Sequence, residues 1–102
     1  MAIAMYPGSF DPVTMGHLDI IKRSARIFDF VHVAVAVNSS KRPVFSTEQR
    51  IKYLRAATQN LKNVEIVTFN GLLVEAAQKY NAGIIIKGLR AISDFEYEFQ
   101  MA

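Results

Sequence analysis

The sequence predicts an α/β fold: a Rossmann-like, doubly wound parallel sheet in the order βαβαβαβα. Three observations predict it. Short apolar runs alternate with segments of helical period along the whole chain. Glycine, proline, asparagine or serine stands where most strands give way to helices. No linker, low-complexity tract or repeat divides the 102 residues, which suits one compact domain. Strands joined through helices pair in parallel, with right-handed crossovers.

The elements follow in order. Ala2 to Tyr6 is an apolar run that meets Pro7-Gly8, the pattern of a buried strand. From Met15 to Phe28, Leu18, Ile21, Ala25 and Phe28 share one helical face, while Lys22, Arg23 and Arg26 lie elsewhere. Phe30 to Val37 is valine-rich and nearly all apolar, as a strand covered on both faces should be. Ser46 opens a second helix, with Gln49 placed to complete a capping box and Ile51, Leu54, Ala57 and Leu61 as its stripe. Val64 to Phe69 is a third strand. Leu72 to Tyr80 is a third helix, with Leu73, Ala76, Ala77 and Tyr80 facing inward. Gly83 to Lys87 reads as a fourth strand, and Ser93 with Glu96 caps a last helix running to Ala102. That helix has no stop signal, so the natural protein is expected to be longer.

Composition narrows the function classes. Hydrophobic residues make up 51% and charged residues 21%, which is too apolar for disorder. No run approaches the roughly 20 apolar residues of a membrane span, and the start lacks the basic region of a signal peptide. The chain has no cysteine, so disulfides and cysteine zinc sites are excluded and a cytoplasmic location is the simplest reading. A net charge of +3 fits an anionic ligand but does not argue for nucleic acid.

In sheets of this kind ligands gather beyond the carboxyl ends of the strands, so the loops there carry the candidate chemistry. The first, Tyr6-Pro7-Gly8-Ser9-Phe10-Asp11-Pro12-Val13-Thr14-Met15-Gly16-His17, feeds a helix N-terminus that suits phosphate oxygens. Gly8 permits close backbone approach, Ser9 offers a hydroxyl and an N–H, and His17 can donate to a charged phosphorus centre. The second loop places Lys41 and Arg42 beside Ser39 and Ser40, either a phosphate contact or solvated surface. In the third, Gly71 makes the turn into the helix. In the fourth, Lys87 and Arg90 flank Gly88 with charge. Gly83 to Gly88 has P-loop spacing, but Leu89-Arg90 follows in place of Lys-Ser/Thr, and that reading is rejected. His32, inside a valine-rich strand, reads as structural.

Gly8-Ser9-Phe10-Asp11-Pro12 followed by Thr14-Met15-Gly16-His17 resembles the (T/H)xGH signature of the nucleotidyltransferase superfamily. Thr14 points to the phosphopantetheine adenylyltransferase family. Lys87-Gly88-Leu89-Arg90-Ala91 and Asp94-Phe95-Glu96-Tyr97-Glu98 are similar to that family's [RK]GLR…DFEYE signature. The resemblance covers essentially the whole chain.

The resemblance implies transfer of AMP from ATP to 4′-phosphopantetheine, giving dephospho-coenzyme A and pyrophosphate. It makes His17 the transition-state stabiliser. It assigns Ser9, Phe10, His17, Gly88, Leu89, Arg90 and Glu98 to ATP, and Ser9, Lys41, Leu73 and Lys87 to the acceptor. Leu72 would border the same apolar arm. It also implies Mg²⁺ arriving with ATP, and a hexamer. The family more often has arginine at the place of Lys87, and lysine loses the bidentate fork. The rival expectation is a non-catalytic fragment that binds nucleotide weakly, because a further nucleotide-binding segment of the family would follow the last helix.

Overall fold

The computed structural model describes residues 1–37 and 44–87. Its element order is β1 (Ile3–Gly8), α1 (Met15–Ile27), β2 (Phe30–Ala36), α2 (Thr47–Ala57), β3 (Val64–Phe69), α3 (Leu73–Lys79) and β4 (Ile84–Ile85). All strand pairs are parallel, and the four-stranded sheet has the order β3-β2-β1-β4. The Rossmann-like, doubly wound reading therefore holds. The last helix, with Phe95, Glu98 and Phe99, lies outside the described residues.

The winding follows from which side chains each strand turns to each face. On β2, Val31, Val33 and Val35 enter one core cluster with Tyr6, Phe10, Ile21, Leu54 and Ile66. The alternate residue Ala34 enters a second cluster with Met5, Val67 and Ala76. Successive strand residues point to opposite faces, so α1 and α2 cover one face and α3 the other. The chain steps outward from β1 to β3 under α1 and α2. It then crosses beneath the sheet through α3 to lay β4 on the far side of β1. The order reverses at β1, so the loop leaving β1 sits at the switch point.

Element ends have local causes. Ser46 caps α2 through the reciprocal bonds that the sequence predicts: Gln49 N–H donates to Ser46 Oγ at 3.1 Å and Ser46 N–H to Gln49 Oε1 at 3.1 Å. At the end of α1, Asn63 Nδ2 donates to the Ala25 carbonyl at 2.8 Å and the Phe28 carbonyl at 3.2 Å, satisfying C-terminal acceptors. After α3, Ala82 N–H donates to Ala77 O at 2.8 Å and Asn81 N–H to Gln78 O at 3.2 Å. With Asn81 at φ 57°, this is a Schellman stop. Gly71, at φ 97°, makes the turn before α3.

The stripe of α2 differs from the reading. Ala57 is exposed, and α2 ends there, so Leu61 packs on the core from beyond the helix. The buried positions of α2 and its C-cap are Arg50, Leu54 and Thr58, spaced four apart on one face. Two are polar, which is why a hydrophobic stripe did not reveal them. Thr58 Oγ1 donates to Leu54 O at 2.8 Å, and Arg50 is satisfied by carbonyls and a hydroxyl.

Candidate functional site: the loop leaving the central strand

β1 ends at Gly8, and the next residues double back over the α1/α2 face. Phe10 is 2% exposed and takes φ 51°, a left-handed conformation uncommon for a bulky residue. Such a conformation costs on the order of 1–3 kcal/mol and persists only where surroundings hold it. Its ring stands edge-on to Tyr6 at 5.3 Å and to His17 at 5.0 Å, both centroid to centroid. A Cβ on Gly8 would meet that ring at 3.1 Å. Gly8 thus makes room for Phe10, where sequence reasoning saw room for a ligand. The side chain of Phe10 belongs to the core.

Thr14 is the N-cap of α1, and His17 stands at its third position. His17 N–H donates to Thr14 Oγ1 at 3.2 Å, and Thr14 N–H donates to His17 Nδ1 at 3.0 Å. This is a capping box with histidine in the place usually held by Glu or Gln. A backbone N–H can only donate, so Nδ1 is the acceptor. The neutral ring then carries its proton on Nε2, which makes Nε2 a hydrogen-bond donor. No acidic residue occupies the first turn of α1, and the positive end of its dipole lies at the same place. Gly16 is exposed, and a Cβ there would contact only Thr14 Oγ1 at 3.6 Å, an ordinary separation.

Two residues that the motif reading left without a role fix this loop, Asp11 from within it and Arg50 from α2. Asp11 accepts from Val44 N–H at 2.8 Å and Phe45 N–H at 2.7 Å. Arg50, 3% exposed, donates from Nη1 to Ser9 O at 2.8 Å and to Ala36 O at 3.3 Å. It also donates from Nη2 to Thr47 Oγ1 at 2.9 Å. Its alignment with Leu54 and Thr58 is the signal that could have found it.

The other sequence-predicted residues are placed as follows. Ser9 is exposed beside Phe10. Lys87 is exposed, two residues beyond β4 and next to the central strand. Leu73 is half-buried and packs on the α3 core, while Leu72 is exposed. Lys41, Gly88, Leu89, Arg90 and Glu98 lie outside the described residues. No cluster of three His, Cys, Asp or Glu side chains suited to a metal occurs among the described residues.

His32 lies on the opposite face, 8% exposed, with its ring 4.8 Å from that of Phe30 and 5.0 Å from that of Tyr80. Its Nδ1 has no partner among the described residues. Burial pulls its pKa below the ordinary value, partly opposed by the charge of Glu65. Among the described residues no helix is long and apolar enough to cross a membrane.

The chain is 62% identical over its whole length to the phosphopantetheine adenylyltransferase of Caldanaerobacter subterraneus subsp. tengcongensis, covering 64% of that protein. It is 54% identical over its whole length to the phosphopantetheine adenylyltransferase of Clostridium botulinum strain Alaska E43, again covering 64%. The chain thus spans less than two thirds of the length of these relatives. A lipopolysaccharide core biosynthesis protein from Thermoplasma volcanium superposes with a TM-score of 0.69 at 27% identity, over 99% of this chain and 84% of that one. A putative nicotinate-nucleotide adenylyltransferase from Vibrio parahaemolyticus shares the fold, with a TM-score of 0.59 at 22% identity over 83% of this chain and 55% of that one. The cytidylyltransferase-like family model matches residues 5–102, and the chain belongs to that family.

Proposed function

We propose that the protein transfers the adenylyl group of ATP to the phosphate of 4′-phosphopantetheine, releasing pyrophosphate and forming dephospho-coenzyme A. The observation that carries this reading is the Thr14–His17 box, which makes Nε2 a donor at an acid-free helix N-terminus. The names of the relatives supply the acceptor.

The chemistry needs no nucleophilic side chain. An oxygen of the acceptor phosphate attacks the α-phosphorus of ATP. The bond from that phosphorus to the bridging oxygen breaks, and pyrophosphate leaves with the electron pair. Catalysis is then positioning plus stabilisation of charge at the crowded phosphorus. His17 Nε2–H donates to an α-phosphoryl oxygen, and the first turn of α1 adds backbone N–H groups. Ser9 and Lys87 stand at the carboxyl ends of β1 and β4, suited to phosphate oxygens, and Lys41 joins them on the acceptor. Leu73 borders the uncharged pantetheine arm. Gly88, Leu89, Arg90 and Glu98 hold the nucleotide, as does the backbone of Phe10. Mg²⁺ enters with ATP as part of the substrate. The working protein is a cytoplasmic hexamer.

The test is pyrophosphate release by the full-length protein with ATP and either 4′-phosphopantetheine or nicotinamide mononucleotide. Release with the first alone is the expected result, and release with the second alone would overturn the assignment. Lys41→Ala and Lys87→Ala should weaken use of the acceptor more than binding of ATP, and Lys87→Arg should be tolerated.

A further inference from the structure

Arg50 is a buried guanidinium with no carboxylate partner among the described residues. Burying a charge is costly, and here only carbonyl and hydroxyl oxygens compensate it. A well-packed apolar residue would serve a merely structural helix face at least as well. What the guanidinium adds is geometry. Its Nη1 reaches from α2 to Ser9 O and to Ala36 O, at the ends of the two central strands, while Nη2 on the other prong of the planar fork is held by Thr47 Oγ1. Asp11 reaches the other way, from the loop to the N–H groups of Val44 and Phe45. Ser9 and Asp11 are therefore both gripped by the chain around the start of α2. Phe10 lies between them, in its left-handed conformation, with its ring against His17.

We propose that Arg50 and Asp11 are positioning residues for His17: they clamp the turn at Ser9–Asp11 from two sides, hold Phe10 left-handed, and so fix the wall against which the imidazole packs. The proposal rests on the reading of His17 given above. It assigns no contact with substrate to either residue.

Two readouts on the full-length protein separate it from that reading. The first is kcat and KM for pyrophosphate release. The second is the ¹⁵N resonances of the His17 ring, recorded without substrate, which report tautomer and surroundings. Arg50→Met should lower kcat by up to about 10²-fold, as a misplaced catalytic group does, with a smaller change in KM for ATP. The His17 ring resonances should shift in the same variant. Arg50→Lys keeps the charge but not the fork, so it should restore only part of kcat. Asp11→Asn retains one acceptor oxygen and should fall between, and it serves if Arg50→Met does not fold. A folded variant with kcat within about twofold of the parent and unmoved His17 resonances would overturn the proposal. So would a lowered kcat with unmoved resonances, because the effect would then not pass through His17. If the parent releases no pyrophosphate, the functional reading falls, and the resonances alone decide the clamp.

Discussion

The two faces of the sheet are built to different standards. The α1/α2 face carries most of the largest buried side chains, Phe10, Ile21, Leu54 and three valines of β2, with Arg50 satisfied among them. The α3 face is lined by Met5, Ala34, Val67 and Ala76, and beside them a buried histidine nitrogen lacks a partner among the described residues. The difference teaches where precision is spent. His17, whose direction matters most to the proposed chemistry, hangs from the α1/α2 face through its contact with Phe10, while Leu73 belongs to the α3 face. Through α3 the chain returns to β4.

Substitutions at glycine break this comparison most sharply. Gly8→Ala would drive a methyl into the Phe10 ring at 3.1 Å, and that ring is buried against Tyr6 and His17. Overpacking of this kind costs about 1–3 kcal/mol, to be read from urea unfolding. At Gly83, by contrast, an added Cβ meets nothing within 4 Å. Gly83→Ala should stay within about 0.5 kcal/mol of the parent. Equal effects at the two positions would show that the Phe10 ring is not what makes Gly8 sensitive.

Gly16→Ala sharpens the point by separating stability from function. Its Cβ meets only Thr14 Oγ1, at an ordinary distance, and alanine is the better helix former by up to about 1 kcal/mol. Stability should hold or rise. Pyrophosphate release should fall, because in the proposed site the methyl would stand where the first turn meets a phosphate. Unchanged activity would remove the open first turn from the account.

The smallest effect belongs to the α3 face. Burial holds the folded pKa of His32 below its ordinary value of 6.5, so below that pH the unfolded chain binds more protons than the fold. Stability should therefore decline as pH falls from about 6.5 toward the folded pKa, and be intact above that window. His32→Phe, measured by thermal unfolding across this range, should flatten the decline.

Much of this was legible in the sequence, and the gaps have a common cause. Val64–Phe69, the Ser46–Gln49 box and the inner face of α3 follow from apolar period and capping chemistry, and the structure has them where the pattern puts them. Arg50 and Thr58 escaped because a polar residue on a helix reads as solvated until its acceptors are seen. Asp11 escaped because its partners lie 33 and 34 residues away. The Thr14–His17 box escaped because histidine is not the residue a capping box usually holds. Gly8 was recognised as a point of close approach, but the approaching group is a side chain of the same loop.

The central claim is that the Thr14–His17 box presents Nε2–H to an oxygen of the phosphoryl group under attack. The most direct test is kcat for pyrophosphate release by His17→Ala in the full-length protein, with folding checked by cooperative unfolding. Loss of one such donor should lower kcat by roughly 10²–10³-fold. KM should move far less, because the contact strengthens in the transition state. A folded His17→Ala protein with the parent's kcat would contradict the account.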